Sequence, residues 1–302
     1  MNKIRKILKN PLLSIAKLIE KTACWYSDEL YLRLQYLFRL HKKLDLKNPK
    51  SFNEKLQWLK LYNRISAYTT MVDKYTAKEY VANIIGTKYL IPTLGIWDNP
   101  DDIDWDSLPN QFVLKCTHDS GGIILCRDKS CFNIEKAKEE LCRCLKTSYF
   151  PVTREWPYLN VKPRVIAEKY MSNNKNELID YKVHCFNGTP KVILVCQNRF
   201  GTGGLMEDFY SDKWEHLDVK RPNHPNANEF MEKPDELDEL LQLSQQLSVN
   251  IPFVRTDFYI IDGQIYFGEI TFYPSSGLAK FEPEEWDYKF GEWMKLPKQN
   301  YL

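Results

Sequence analysis

Residues 254–277, VRTDFYIIDGQIYFGEITFYPSSG, read as two β-strands joined at Asp262-Gly263, the strongest short-range hairpin signal a sequence offers. Asp257 falls near the middle of the first strand and Glu269 near the end of the second. Side chains alternate across a strand, so Asp257 shares a face with Arg255, and Glu269 shares one with Thr271. Counting back from the turn places position 257 opposite about 268, which brings the two carboxylates onto adjacent positions. Two acids held together in an apolar hairpin are costly unless a cation lies between them. Such hard oxygen donors suit Mg²⁺, which takes one or two carboxylates and completes its shell with phosphate and water. A surface hairpin with solvated acids is the other reading of this stretch.

A chain of 302 residues accommodates one large domain or two to three smaller lobes, and 43% hydrophobic with 27% charged residues is ordinary globular composition. Charge is uneven. Residues 1–50 hold 12 Lys/Arg against 4 Asp/Glu, a net of +8, which leaves −6 for the other 252 residues of a chain whose formal charge is +2. A basic N-terminal arm on a mildly acidic body argues against a nucleic-acid partner. The eight cysteines, at 24, 116, 126, 131, 142, 144, 185 and 196, include several inside apolar runs, and no pair of CxxC units marks a zinc site. A reducing, cytoplasmic setting is expected.

The first 21 residues, MNKIRKILKNPLLSIAKLIEK, are basic but interrupted by Pro11 and Lys17, so neither a signal peptide nor a membrane span is expected. Ile4, Leu8, Leu12, Ile15, Leu18 and Ile19 roughly follow helical spacing. Two readings stay open for residues 1–22: packing on their own domain, or peripheral contact with an anionic membrane surface at its inner face.

Further along, residues 26–45 read as a helix capped by Ser27 or Asp28. Ser51 with Glu54 has capping-box form before NEKLQWLKLYNR, and a helix is expected from Asp73 to Gly86. FVLKCTHDSGGIILC reads as strand, glycine loop, strand. A helix follows over 132–149, then a strand over 164–171, and a hairpin turning at Asn187-Gly188. FYSDKWEHLDV reads as a small separate unit, and a helix with Pro234 just inside its start precedes the 254–277 hairpin. The class is α+β, antiparallel sheets with helices on their faces.

Several residue sets carry chemistry. The loop HDSGG, residues 118–122, offers backbone N–H groups to phosphate, though Ser-Gly-Gly is also an ordinary turn. Lys115 stands inside the preceding strand, where an ammonium needs an anion. Lys74 lies near a helix start, a place that favours anions. The strand end Glu168-Lys169-Tyr170-Met171 presents backbone groups suited to an adenine edge, or is simply an edge strand with charged residues. Asp180 and Lys182 share a face of the second hairpin, and Arg199 on its partner strand would complete a cationic patch for a carboxylate or phosphoryl group.

In this order the pieces resemble the ATP-grasp superfamily, and within it the teichuronopeptide-biosynthesis branch. The likeness covers roughly residues 45–297 through FNEKLQWLKLY, DKY, YLIPTLGIWD, LPNQFVLKCTHDSGG, AEKY, DYKVHCFNG and FGEITFYPSSG. It implies two antiparallel-sheet lobes with helices clasping Mg-ATP, preceded by a mostly helical N-terminal region. The expected divisions are a basic helical arm over 1–45, an N-terminal region over 46–110, and ATP-grasp subdomains over 111–171 and 172–302. Lys74 and Lys115 would hold the phosphates, with Asp180 also placed on the nucleotide side. Ser120, Gly121 and Gly122 would form the mobile lid loop, and Glu168, Lys169, Tyr170 and Met171 the adenine hinge. Asp257 and Glu269 would bind Mg²⁺, with Thr271 in the third ligand position, where the superfamily usually has Asn. Arg255, Lys182 and Arg199 would neutralise an acyl-phosphate transition state. The implied activity is ATP-dependent joining of a carboxylate to an amine in cell-surface polysaccharide (capsule, O-antigen or teichuronopeptide) biosynthesis. Its partners would be an amino acid and a free, nucleotide-linked or lipid-linked sugar. Alternatives are a glycosyltransferase using the DxD patterns at Asp102, Asp104 and Asp106, an ATP-grasp-type sugar kinase, or a non-catalytic assembly protein.

Overall fold

The computed structural model describes residues 11–119, 121–172, 178–198 and 204–298. Helices lead: α1 (Pro11–Lys21), α2 (Asp28–Leu40), α3 (Phe52–Tyr62), α4 (Ala67–Val72) and α5 (Thr76–Ile85). The Ser27 hydroxyl accepts from Leu30 N at the start of α2, and His41 closes it in the left-handed conformation. Ser51 and Glu54 form the full capping box of α3.

Two antiparallel sheets follow. The first comprises β1 (Thr93–Trp97), β2 (Phe112–Cys116), β3 (Ile123–Cys126) and β4 (Val165–Lys169), in the order β1-β4-β2-β3. Its edge strand thus comes from before residue 111. α6 (Ile134–Leu145) packs on it, with Leu141 joining Phe112, Leu114, Val165 and Ala167 in a small core. The short helix α7 (Phe150–Thr153) lies between α6 and β4.

The second sheet has the order β7-β6-β5-β8-β9, built from β5 (Asp180–Phe186), β6 (Thr189–Gln197), β7 (Met206–Ser211), β8 (Phe253–Ile261) and β9 (Gln264–Thr271). Both expected hairpin turns are present, with Asn187-Gly188 and Asp262-Gly263 each at positive φ. α8 (Leu237–Leu247) covers one face of this sheet, where Thr256 donates to Ser244 at 3.0 Å beside buried Val183 and Cys185. Alternation therefore turns Asp180, Lys182 and His184 of β5, and Arg255 and Asp257 of β8, to the opposite face. The last helix, α9 (Glu285–Trp293), packs against the start of α3. There the Phe52 ring meets Phe253 at 4.8 Å and Phe290 at 5.9 Å.

Four readings change. The register of the 254–277 hairpin holds from Ile261↔Gln264 to Phe258↔Phe267 and then shifts, so that Asp257 faces Glu269 rather than 268. Gly268 is the extra residue of this β-bulge. A Cβ there would stand 3.1 Å from Asp257 O, which a glycine avoids. The helix expected from Asp73 begins at Thr76. Asp73 is extended because its carboxylate accepts from Tyr75 N and from Arg164, at 2.9 and 2.8 Å, while Lys74 N donates to Thr117 O. FYSDKWEHLDV is not a separate unit: its first part is the edge strand β7, bridged to His216. α8 starts three residues after Pro234, whose carbonyl accepts from Leu237 N in the turn before it.

The α3–α9 contact is close enough to test. A Cβ on Gly291 would fall 2.1 Å from Lys50 O and 2.9 Å from Phe52 N. Gly291→Ala is expected to destabilise the fold by about 2–4 kcal/mol, by overpacking against backbone that cannot yield. Urea unfolding measures it, and an unchanged midpoint would contradict this packing.

Candidate functional site

Cross-strand pairing assembles the charged face of the second sheet. Lys182 pairs with Asp257, His184 with Arg255, Asp257 with Glu269 and Arg255 with Thr271. The buried Asp257 carboxylate accepts from Arg255 Nε at 2.6 Å, from Arg255 Nη2 at 2.7 Å and from the Lys182 ammonium. Burial alone would raise its pKa, but Arg255 and Lys182 hold it well below the usual carboxylate range. In turn Asp257 keeps Lys182 and Arg255 firmly charged against the opposing effect of burial. Arg255 Nη2 also reaches Glu269 and Thr271 Oγ1, both at 3.1 Å. Asp180 lies 3.7 Å from the same Lys182 ammonium. His184 is pushed down to about 3 by burial and by Arg255, so it stays neutral beneath this network.

The first sheet supplies lysines. Lys115 on β2 donates to Glu168 at 2.6 Å, and Lys78 on α5 holds the other oxygen of that carboxylate. Burial would raise the Glu168 pKa, yet the two ammonium groups keep it below its ordinary value. The anion that Lys115 was expected to need is thus one of the protein's own. Lys74 sits in the turn before α5 and donates to the carbonyl of Asp119, with the Asp119 carboxylate 3.6 Å away. Gly121 takes φ 109°, and a Cβ on Gly122 would meet Asp119 Oδ2 at 2.6 Å and Cys144 Sγ at 2.8 Å. Gly121 therefore needs glycine for its backbone, while a side chain at 122 would have to displace the ends of the Asp119 and Cys144 side chains.

These two walls face one cleft of about 200 Å³, lined by Lys74, Lys115, Glu168, Lys169, Tyr170, Met171, Asp180, Lys182, Asp257, Gly268 and Glu269. Most residues singled out in the sequence therefore converge on one site, with Arg255 and Thr271 just behind it. Ser120 and Arg199 lie outside the described residues. The acids of the DxD patterns do not line the cleft; Pro100–Asp102 forms a short 3₁₀ turn on the first lobe. A more open groove of about 440 Å³, between Tyr75 and Thr93, contains none of the residues singled out.

Three groups beside the cleft escaped sequence reasoning. Lys78 is one helical turn beyond Lys74, a spacing that places a second cation near the same wall. Lys60, i+4 from buried Leu56 on the apolar face of α3, is itself buried. It donates to Thr153 O at 2.8 Å, Ser276 O at 2.9 Å and Ser276 Oγ at 2.8 Å. Burial lowers its pKa and raises that of Glu155, also buried beside Ser276. Arg221, bidentate on buried Glu207, grips Ser275 Oγ at 2.7 Å, and Gln57 donates to the carbonyls of Ser276 and Gly277. Ser275, Ser276 and Gly277 all take positive φ, at 50°, 55° and 63°. Two non-glycine residues in that region are held there only by such surrounding bonds. Lys60 and Arg221 thus clamp the strained loop that follows β9.

Two antiparallel sheets, one presenting lysines beside a glycine loop and the other paired acids, define an ATP-grasp fold. The model of the TupA-like ATP-grasp family matches residues 54–295, and the chain belongs to that family. Among solved structures it is similar to D-alanine–D-alanine ligase from Helicobacter pylori, at 18% identity over 82% of this chain and 70% of that one, TM-score 0.41. The ATP complex of the Bacillus anthracis D-alanine–D-alanine ligase is 19% identical over 67% of this chain, TM-score 0.36. The ADP complex of N5-carboxyaminoimidazole synthetase from Staphylococcus aureus is 16% identical over 72%, TM-score 0.39. The chain spans 53% of the B. anthracis ligase and 50% of the synthetase. Among proteins with curated descriptions, none matches.

The lining is compatible with a magnesium nucleotide: it holds the ammonium groups of Lys74, Lys115 and Lys182 and the carboxylates of Asp257 and Glu269, with both Asp257 oxygens engaged by Arg255 and Lys182.

Two outcomes follow from these contacts. Asp257 and Glu168 have folded pKa values below their unfolded values of 3.8 and 4.5. Their stabilisation is complete above those values and is lost as pH falls through the folded ones. Denaturant titrations at falling pH are expected to show this loss, and Asp257→Asn to flatten it; an identical acid slope in the variant would contradict the assignment. Lys60→Met leaves three half-buried oxygens without their donor and is expected to cost about 1–3 kcal/mol in urea unfolding. A cost near zero would mean that Lys60 does not hold the loop.

Proposed function

We propose that this chain is an ATP- and Mg²⁺-dependent carboxylate–amine ligase that joins an amino acid to a sugar, a uronic acid in the first instance, during cell-surface polysaccharide synthesis. The observation that carries the ligase reading is the direct pairing of Asp257 with Glu269 in a cleft whose other wall holds Lys74 and Lys115. The polysaccharide setting rests on the family relationship alone.

In this reading a substrate carboxylate oxygen attacks the γ-phosphorus of ATP, and the bond to the bridging oxygen breaks to release ADP. The amine then attacks the acyl carbon, the C–O bond to phosphate breaks, phosphate leaves, and the amine proton passes to solvent or a base. Bound Mg²⁺, on Asp257 and Glu269, would supply charge neutralisation at the phosphates. Lys74 and Lys115 exchange Asp119 and Glu168 for phosphate oxygens. The Lys169–Met171 strand end presents backbone groups to the adenine. Lys182 and Arg255, with Arg199, stabilise charge developing at the transferring group. Thr271 already accepts from Arg255 and offers only a hydroxyl, so it would hold Mg²⁺ less firmly than an amide carbonyl would. The sugar acceptor would be free, nucleotide-linked or lipid-linked; a lipid-linked one would bring the enzyme to the inner face of the membrane.

Release of ADP and phosphate against a panel of amino acids, with and without uronic-acid sugar nucleotides, tests the reading. Turnover is expected to need both a carboxylate and an amine. Lys115→Ala and Asp257→Asn are each expected to lower it at least about 100-fold. ADP formed with the sugar alone and no trapping by hydroxylamine would replace the ligase by a kinase. UDP release instead of ADP would replace it by a glycosyltransferase. Full activity in either variant would sink the assignment.

A further inference from the structure

The helices at the start of the described chain carry an outward face that the catalytic reading leaves unused. α1 buries Ala16 and Ile19, and the Glu20 carboxylate is taken by Arg39 of α2. The side turned away from the protein bears Ile15, 40% exposed, and Leu18, 62% exposed, three residues apart and so one row on a helix. Lys17 and Lys21 flank that row and are exposed too. Just past the helix Trp25 is 79% exposed, the most open large hydrophobic side chain among the described residues, and α2 adds Leu30 at 47% and Leu37 at 38%. A Trp, an Ile and three Leu left in water within 23 residues of chain are more than scattered surface apolar residues explain. No described helix is long and apolar enough to cross a membrane.

Charge decides between a protein and a lipid occupant. Residues 1–22 contain Lys3, Arg5, Lys6, Lys9, Lys17 and Lys21 against Glu20 alone, and Glu20 is already engaged by Arg39. Residues 51–302 carry a net −6. Lysines beside an apolar row match an anionic lipid surface, where acyl contact and headgroup attraction act together and neither is sufficient alone. An exposed Trp at one end is suited to the headgroup level. The acidic body would be repelled by that same surface, so only this end of the molecule is attracted to it.

We infer that α1 and the Trp25 turn form a membrane-docking surface that lies on anionic lipid, with Ile15, Leu18 and Trp25 inserted and Lys17 and Lys21 at the headgroups. This deepens the lipid-linked-acceptor reading but is measured without it.

The test is co-sedimentation of the full chain, free of nucleotide and sugar, with vesicles of phosphatidylcholine and phosphatidylglycerol in equal parts or of phosphatidylcholine alone. Binding is expected to the anionic vesicles, falling with added salt, and weaker by at least about tenfold in Ile15→Glu/Leu18→Glu and in Trp25→Ala. These side chains are exposed, so the variants should keep the parent melting temperature. If the double variant loses it, Lys17→Glu/Lys21→Glu carries the same prediction. Absence of binding to anionic vesicles, equal binding to both vesicle types, or unchanged binding in the variants overturns the inference. So does self-association without lipid that the same variants abolish, since the face would then belong to a second copy of this chain. Because vesicle binding is read with no turnover, failure of the ligase assay leaves this result standing, and the reverse holds too.

Discussion

The Asp257 carboxylate is the group on which the second lobe depends. It is an ionised acid with almost no access to water, a state that burial opposes strongly. It persists because a guanidinium and an ammonium, placed on the same strand and the neighbouring one, donate to it directly. That arrangement exists only if β5, β8 and β9 keep their register, since a one-residue slip would send each side chain to the face under α8. The same contact keeps Lys182 and Arg255 charged while buried, so cleft electrostatics and sheet register are one constraint seen twice.

The opposite wall follows the same logic with different partners. Glu168 sits between Lys115 and Lys78, and Lys74 is tied to Asp119 of the glycine loop. Lys74, Lys115 and Lys182, three of the lysines lining the cleft, thus each have a carboxylate of the protein beside them. On the proposed reading, a polyphosphate bound there would replace one set of anions by another rather than meet bare cations, which would limit both the desolvation cost of the empty site and the net affinity. The loop after β9 is held in left-handed backbone by Arg221 and Lys60, cations drawn from distant segments. Strain kept in place next to the paired acids is where a fold fixes geometry that chemistry requires.

Much of this was legible in the order of residues. Asp-Gly and Asn-Gly dictate primed turns because both central residues must accept positive φ, and the capping box at Ser51 dictates the start of α3. Lys115 within an apolar strand demands an anion whatever the fold around it. The bulge at Gly268 was not legible, since a glycine in a strand does not announce which pairing it breaks. Lys78 and Lys60 were hidden for a related reason. A lysine on an amphipathic helix is ordinarily solvated, and only the neighbours brought by distant segments made Lys60 buried and Lys78 half-buried.

The sequence by itself determined the elements, the two hairpins, the glycine loop and the set of acids and lysines available to the cleft. Local rules suffice there, because turn, capping and alternation depend on residues a few positions apart. Which carboxylate meets which cation was decided only by the tertiary structure. Those pairings join residues from 53 to 75 positions apart for Lys115 with Glu168 and Lys182 with Asp257. Coulomb energy at such a contact depends on a separation of a few ångströms and on the loss of water around it. Both are fixed by how the sheets pack, not by any stretch of chain read alone.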